Sequence, residues 1–146
     1  MSDSAVEVKD TNPKDAVGVK KPPQSTVSQA VMAEVGVAML EGARKYGRHN
    51  FREAGVRASI YYDATRRHLD YWWEGEDIDP DSGLSHITKA ISSLMVLRDA
   101  MIQDKMTDDR PPATPAWHKK YIQERVDDIF ERIPNAKEPI VNKKKL

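Results

Sequence analysis

The chain contains no cysteine. Disulfide staples and thiolate metal sites are therefore excluded, and any metal must be held by oxygen or imidazole. Such donors point to magnesium or manganese, and less to zinc. An excess of charge of one sign is also missing, because 23 basic residues balance 23 acidic ones. A duplex-DNA binder usually shows a basic excess, so no duplex nucleic acid is expected as a partner. A free nucleotide with its metal needs only a local balance. Apolar runs fall far short of the roughly 20 residues that span a bilayer, so no membrane is expected either. The N-terminus is polar and acidic, unlike a signal peptide, and the default location is cytoplasmic. Strand-like alternation of useful length and internal repeats are missing too.

What remains is helix. The 146 residues fit one domain, long enough to bury a core without disulfides. The pattern predicts an all-α bundle of about four helices with an extended N-terminal arm. Residues 1–25 are polar, hold Pro13, Pro22 and Pro23, and read as an extended arm rather than a helix. A helical core covers 26–110, and 111–146 hold a C-terminal helix and a basic tail ending in Lys143, Lys144 and Lys145. The first core helix starts at Ser25 or Ser28 as N-cap and ends at Tyr46 before Gly47. Its apolar stripe is Val31, Val35, Met39 and Tyr46. The second runs from about Ala58 to Glu74 and the third from Leu84 to Gln103, with Leu84, Ile87, Ile91 and Leu94 on the buried side. The last covers about Pro115 to Ile133, with Trp117, Tyr121, Ile122, Val126, Ile129 and Ile133 on one side.

Several constellations could carry chemistry. Glu34, Ala38, Glu41 and Lys45 share one face of the first helix. Two carboxylates and an ammonium around a small residue suit a metal beside a phosphate; a solvated face of helical ion pairs has the same spacing. Glu34 adjoins the apolar stripe, where an unpaired carboxylate is costly. Asp63, Arg67, Asp70 and Glu74 repeat the pattern on the second helix. His68 faces its packed side, near Asp63, Arg66 and Arg67. It reads as a structural histidine or as a ligand or general base beside cationic phosphate clamps. Five carboxylates, Glu74, Glu76, Asp77, Asp79 and Asp81, crowd the following loop. They repel one another unless a cation or solvent screens them, and the spacing of an EF-hand is missing. His86 and Lys89 then open the third helix, whose backbone amides favour anions. No nucleophile elbow, phosphate-binding Walker loop or dinucleotide fingerprint occurs, which leaves metal-activated water as the nucleophile.

An ordered series of short motifs runs through this block: Asn12-Pro13-Lys14-Asp15, Gly42-Ala43-Arg44-Lys45-Tyr46-Gly47, Asn50-Phe51-Arg52, Asp63-Ala64, Arg67-His68-Leu69, Trp72-Trp73, Gly75-Glu76-Asp77 and Asp81-Ser82-Gly83-Leu84-Ser85-His86. It resembles the phage dATP/dGTP diphosphohydrolase family, MazG-like nucleotide pyrophosphohydrolases of the MazZ type, over about Asn12 to Leu97. The resemblance implies a helical enzyme that hydrolyses dGTP or dATP to the monophosphate and pyrophosphate with magnesium or manganese. In phages with modified adenine, the dGTP reaction feeds 2-aminoadenine nucleotide synthesis. A homodimer or homotetramer is implied as well. The Glu-x-x-Glu of MazG enzymes is missing here, and the Glu-x-x-Asp matches at Glu74–Asp77 and Glu76–Asp79 fall in or beside the acidic loop.

Together these readings assign Glu34, Asp63, Glu76 and Asp79 to metal and His68 and His86 to catalysis. Lys45, Arg67 and Lys89 would hold phosphate, Tyr46 or Trp72 would stack on the base, and Asn50 joins them in the substrate site. The alternatives are an HD-type metal phosphohydrolase acting on nucleotides and a non-enzymatic helical binding or assembly protein.

Overall fold

The computed structural model describes residues 12–142. The first eleven residues of the expected arm and Lys143, Lys144 and Lys145 lie outside them. The chain divides into two compact units, Met1–Arg110 and Pro111–Leu146. The described part of the first unit is built from helices α1 (Pro13–Gly18), α2 (Gln29–Tyr46), α3 (Asn50–Ala54), α4 (Ala58–Trp73) and α5 (His86–Ile102), with a 3-10 turn at Gln24–Thr26. Strands β1 (Val56–Arg57) and β2 (Met106–Thr107) form one short parallel pair, Val56 beside Met106 and Arg57 beside Thr107. The fold is all-α, since each strand is only two residues long.

The arm departs from the extended chain expected for it. Asn12 Oδ1 accepts from the Lys14 amide, and Pro13 occupies the first turn of α1. Proline is pre-set for that position and has no amide to leave unpaired there, so it starts a helix instead of preventing one. Farther on, Ser28 rather than Ser25 caps α2, its Oγ accepting from the Val31 amide at 3.3 Å. Gly47 ends α2 at φ 95°, and Arg44 and Lys45 fill the last turn, where cations complement the helix dipole. Helix α5 begins at His86, two residues later than Leu84, because Ser85 Oγ accepts from the amides of Ile87 and Thr88.

Helix α5 is central: it packs against both α4 and α2. Its buried face is His86, Thr88, Ala90, Ser92, Val96 and Ala100, not the expected Leu84, Ile87, Ile91 and Leu94. Leu94 is exposed and the other three are half-buried. On α2, Val35 and Ala38 are buried, while Val31 and Tyr46 are exposed. The fully buried positions of α2 and α5 are thus mostly small side chains, and the larger apolar groups stay partly or fully exposed. A second cluster, Val56, Val96 and Ala100, gathers Met39, Phe51, Tyr61, Leu97 and Met106.

The second unit contains α6 (Trp117–Arg132), which has no buried residue. Its Trp117 and Tyr121 rings meet edge to face, and the Arg125 guanidinium lies over Tyr121. The apolar side expected for this helix, Trp117 to Ile133, is exposed. Among the described residues, no helix is long and apolar enough to cross a membrane.

Candidate functional site

Three hydrogen-bonded clusters connect α5 with α2 and α4, in addition to the Arg52–Asp99 ion pair that ties it to α3. Nearest the C-terminal end of α2, Lys89 Nζ donates to Glu41 Oε1 at 2.6 Å, and Lys45 Nζ lies 3.7 Å from the same oxygen. The hydrogen bond from Lys89 holds the Glu41 carboxyl below its ordinary range, against the opposing effect of desolvation. Two turns back along α2, Glu34 Oε1 accepts from Thr88 Oγ1 at 3.0 Å. The third cluster joins α4 and α5: His68 Nδ1 lies 2.9 Å from His86 Nδ1, and His86 Nε2 lies 2.8 Å from Glu76 Oε2. His86 is 2 % exposed, with the Tyr71 ring stacked on it at 5.5 Å between centroids. Desolvation pushes the His68 pKa down, with His86, Lys89 and Arg67 adding to the effect and Asp79 opposing it.

The acidic loop is ordered by its own hydrogen bonds. Asp79 Oδ1 accepts from the Asp81 amide and Oδ2 from Ser82 Oγ, both at 3.0 Å. Desolvation acts to raise the Asp79 pKa, but those two hydrogen bonds, with His68 and His86, leave it lowered. The His86 amide donates to the Asp77 carbonyl, and Ile78 bridges to Ser85, so the loop folds back on the start of α5.

A cavity of about 590 Å³ opens beside the Lys89–Glu41 cluster, and Glu34, Glu76, His68 and His86 do not line it. Its wall includes Glu41, Lys45, Tyr46, Asn50 and Tyr61, with Lys89, Ser92 and Ser93 from α5. Four residues assigned to substrate from the sequence, Lys45, Tyr46, Asn50 and Lys89, thus share one wall. Arg67 and Trp72 are not part of it. Arg67 is exposed on α4 with its charge bearing on His68, and Trp72 packs on Trp73 with centroids 6.3 Å apart. Lys89 links the cavity to the histidine cluster, being both in the wall and within electrostatic reach of His68.

The carboxylates assigned to metal are dispersed. Glu34 faces Thr88, Glu76 faces His86, Asp79 is engaged within its loop, and Asp63 is exposed on α4. Among the described residues, no three His, Asp or Glu side chains are placed to share one ion. Sequence reasoning did not assign Glu41 or Thr88 to the site. Glu41 had a signal, its helical spacing to Lys45; Thr88 had none, because its partner lies 54 residues away.

Residues 11–110 match the family model described as dATP/dGTP diphosphohydrolase, N-terminal. The chain belongs to this family. It is also similar to a dATP/dGTP diphosphohydrolase of Salmonella phage PMBT28, 31% identical over 90 residues, covering 62% of this chain and 30% of that protein. The matched part of the chain thus spans about a third of the length of that relative. No solved structure matches. The family match ends at Arg110, where the first compact unit also ends.

Proposed function

We propose that this chain hydrolyses deoxynucleoside triphosphates, dGTP or dATP, to the monophosphate and pyrophosphate. The observation that carries the reading is the cavity wall. Two ammonium groups, an aromatic ring and an amide gather there on residues 45, 46, 50 and 89. A triphosphate needs cationic donors at one end and an apolar, hydrogen-bonding surface at the other. Lys45 and Lys89 hold phosphate, Tyr46 stacks on the base, and Asn50 contacts the nucleoside. The family to which the chain belongs and the name of its phage relative support the same substrate.

Magnesium or manganese enters as the counter-ion of the triphosphate. Magnesium is commonly bound through one or two carboxylates plus substrate phosphates and keeps several waters. That suits a chain with dispersed carboxylates, of which Glu34 uses one oxygen on Thr88 and has a second for a cation. When bound, the ion neutralises phosphate charge. In a phage that replaces adenine, the dGTP reaction would supply 2-aminoadenine nucleotide synthesis in the host cytoplasm. A homodimer or homotetramer is also part of the proposal, supported by Ile60, Leu94, Met101 and Ile102, which are exposed apolar side chains on α4 and α5.

The test is product identification with each dNTP and either metal. Monophosphate plus pyrophosphate is expected from dGTP or dATP. Nucleoside plus triphosphate, or released phosphate, would replace the reading with an HD-type hydrolase. No turnover under any of these conditions would replace it with a binding role.

A further inference from the structure

Three cations and one carboxylate line the cavity: Lys45, Arg48, Lys89 and Glu41. Glu41 is already shared. Its Oε1 accepts from Lys89 Nζ at 2.6 Å, and Lys45 Nζ stands 3.7 Å from the same oxygen. Arg52, Arg57, Arg66 and Arg110 each pair with an aspartate. Arg48 is different: among the described residues, no carboxylate stands within ion-pair distance of it. The wall is therefore positive, although residues 1–110 as a whole hold more acidic than basic side chains. Like charges gathered in one wall repel, and an anion that enters relieves the repulsion. A neutral base gives no such relief. A chain of phosphates does.

The turn that carries Arg48 is held on both sides. Helix α2 ends at Gly47 with φ 95°, and His49 takes φ 67°, so left-handed residues flank Arg48. The Asn50 amide donates to the Gly47 carbonyl at 3.1 Å, which closes the turn. Phe51 packs against Val56, Val96 and Ala100. Arg52 donates to both carboxylate oxygens of Asp99 on α5, at 2.7 and 2.8 Å. The backbone at Arg48 is thus anchored through α3, while its side chain stays exposed at the cavity. A guanidinium presents a planar fork that matches phosphate oxygens.

We propose that Arg48 is a specificity-determining residue that binds the polyphosphate chain, so that the cavity takes a nucleoside triphosphate in preference to the monophosphate. The proposal rests on the nucleotide reading of the same cavity. Lys45 and Lys89 converge on one oxygen of Glu41 and so define a single phosphate position. Arg48, beyond the end of α2, supplies a second. A monophosphate fills only the first. A triphosphate reaches both, and brings the negative charge that the unpaired guanidinium lacks.

Titration calorimetry in magnesium tests this with three ligands: a non-hydrolysable dGTP analogue, dGMP and inorganic triphosphate. Arg48→Ala should weaken the dGTP analogue by about 10- to 100-fold, the size of one charge-assisted hydrogen bond. Inorganic triphosphate, which has no base, should lose affinity by a similar factor, and dGMP should change little. Arg44→Ala removes the same charge from an exposed residue outside the wall. It should leave all three affinities near wild type. Circular dichroism of both variants should match the parent chain.

An equal loss for dGMP and the dGTP analogue, with inorganic triphosphate unchanged, would place Arg48 at the nucleoside and overturn the proposal. Unchanged affinities in Arg48→Ala, or an equal loss in Arg44→Ala, would overturn it as well. The hydrolase reading fails separately. A wild-type chain that binds the analogue but turns over no dNTP would lose its proposed activity, and the ratio of triphosphate to monophosphate affinity would still decide the role of Arg48. A chain that binds none of the three ligands would overturn both.

Discussion

Lys89 on α5 and Glu41 on α2 are joined by a 2.6 Å hydrogen bond between opposite charges at the wall of the cavity. Both groups are partly shielded, with side chains 19% and 26% exposed. The pair positions the ammonium before any ligand arrives. On the proposed function, an incoming phosphate would compete with Glu41 for a cation that is already in place.

Replacing Lys89 with Ala should weaken binding of a non-hydrolysable dGTP analogue by about 10- to 100-fold, the equivalent of one charge-assisted hydrogen bond. Glu41→Gln, which frees the ammonium, should leave affinity equal or tighter. Titration calorimetry in magnesium measures both. Unchanged affinity in Lys89→Ala would remove this lysine from the phosphate site.

The same pair gives stability a pH dependence. The folded-state pKa of Glu41 lies below its ordinary value of 4.5 because Lys89 donates to it. The stabilisation is therefore present above about 4.5 and is lost as pH falls through the lower folded value. In Lys89→Met the contribution should disappear, so the difference in urea midpoint between wild type and variant should shrink from neutral pH toward strongly acid pH. A difference that stays constant across that range would show that the pair is not coupled to protonation.

Gly55 should not tolerate a side chain. It sits at φ 73°, ψ −175°, a region essentially closed to L-residues. A Cβ added there would collide with the Lys105 carbonyl oxygen. That oxygen accepts from the Val56 amide beside the β1–β2 pair. Gly55→Ala should cost about 2–4 kcal/mol from backbone strain and overpacking together. Gly36→Ala, in α2 with nothing within 4 Å of the new Cβ, should instead stabilise by about 0.5–1 kcal/mol. Denaturant melts of the two variants should move in opposite directions.

Ser85 caps the helix that carries His86, Thr88 and Lys89. Ser85→Ala should cost about 1 kcal/mol of unfolding free energy. It should also speed hydrogen exchange at the Ile87 and Thr88 amides, which the hydroxyl accepts from. Exchange at those two amides equal to wild type would mean that the cap is not formed in solution.

Much of the fold was legible because its determinants are local. Ser28, Gly47 and Ser85 act on amides or backbone angles within a few residues of themselves. Helix α4 is different. Its N-cap residue, Arg57, makes no side-chain cap, and the Asp109 carboxylate accepts from the Ser59 amide instead, 50 residues along the chain. The β1–β2 pair was equally hidden, because two residues are too short to show alternation. The site was legible in part. Lys45, Tyr46, Asn50 and Lys89 share a wall, whereas Arg67 and Trp72 belong to other surfaces of α4. Periodicity alone also chose the wrong face of α5. That helix has apolar residues around most of its circumference, so hydrophobicity could not tell which side meets α2 and α4.

The sequence by itself determined the helical class, most helix limits, the absence of thiol chemistry and the charged residues from which a nucleotide site could be built. Each follows from composition or from interactions spanning about one helical turn. Tertiary structure alone decided the partners: Glu34 with Thr88, Glu41 with Lys89, and His68 with His86. Those pairs are 54, 48 and 18 residues apart. Helical spacing says nothing about such contacts. They are set by which faces of α2, α4 and α5 pack together, and that packing gathers separate charges into a cavity wall and brings two histidines within 2.9 Å.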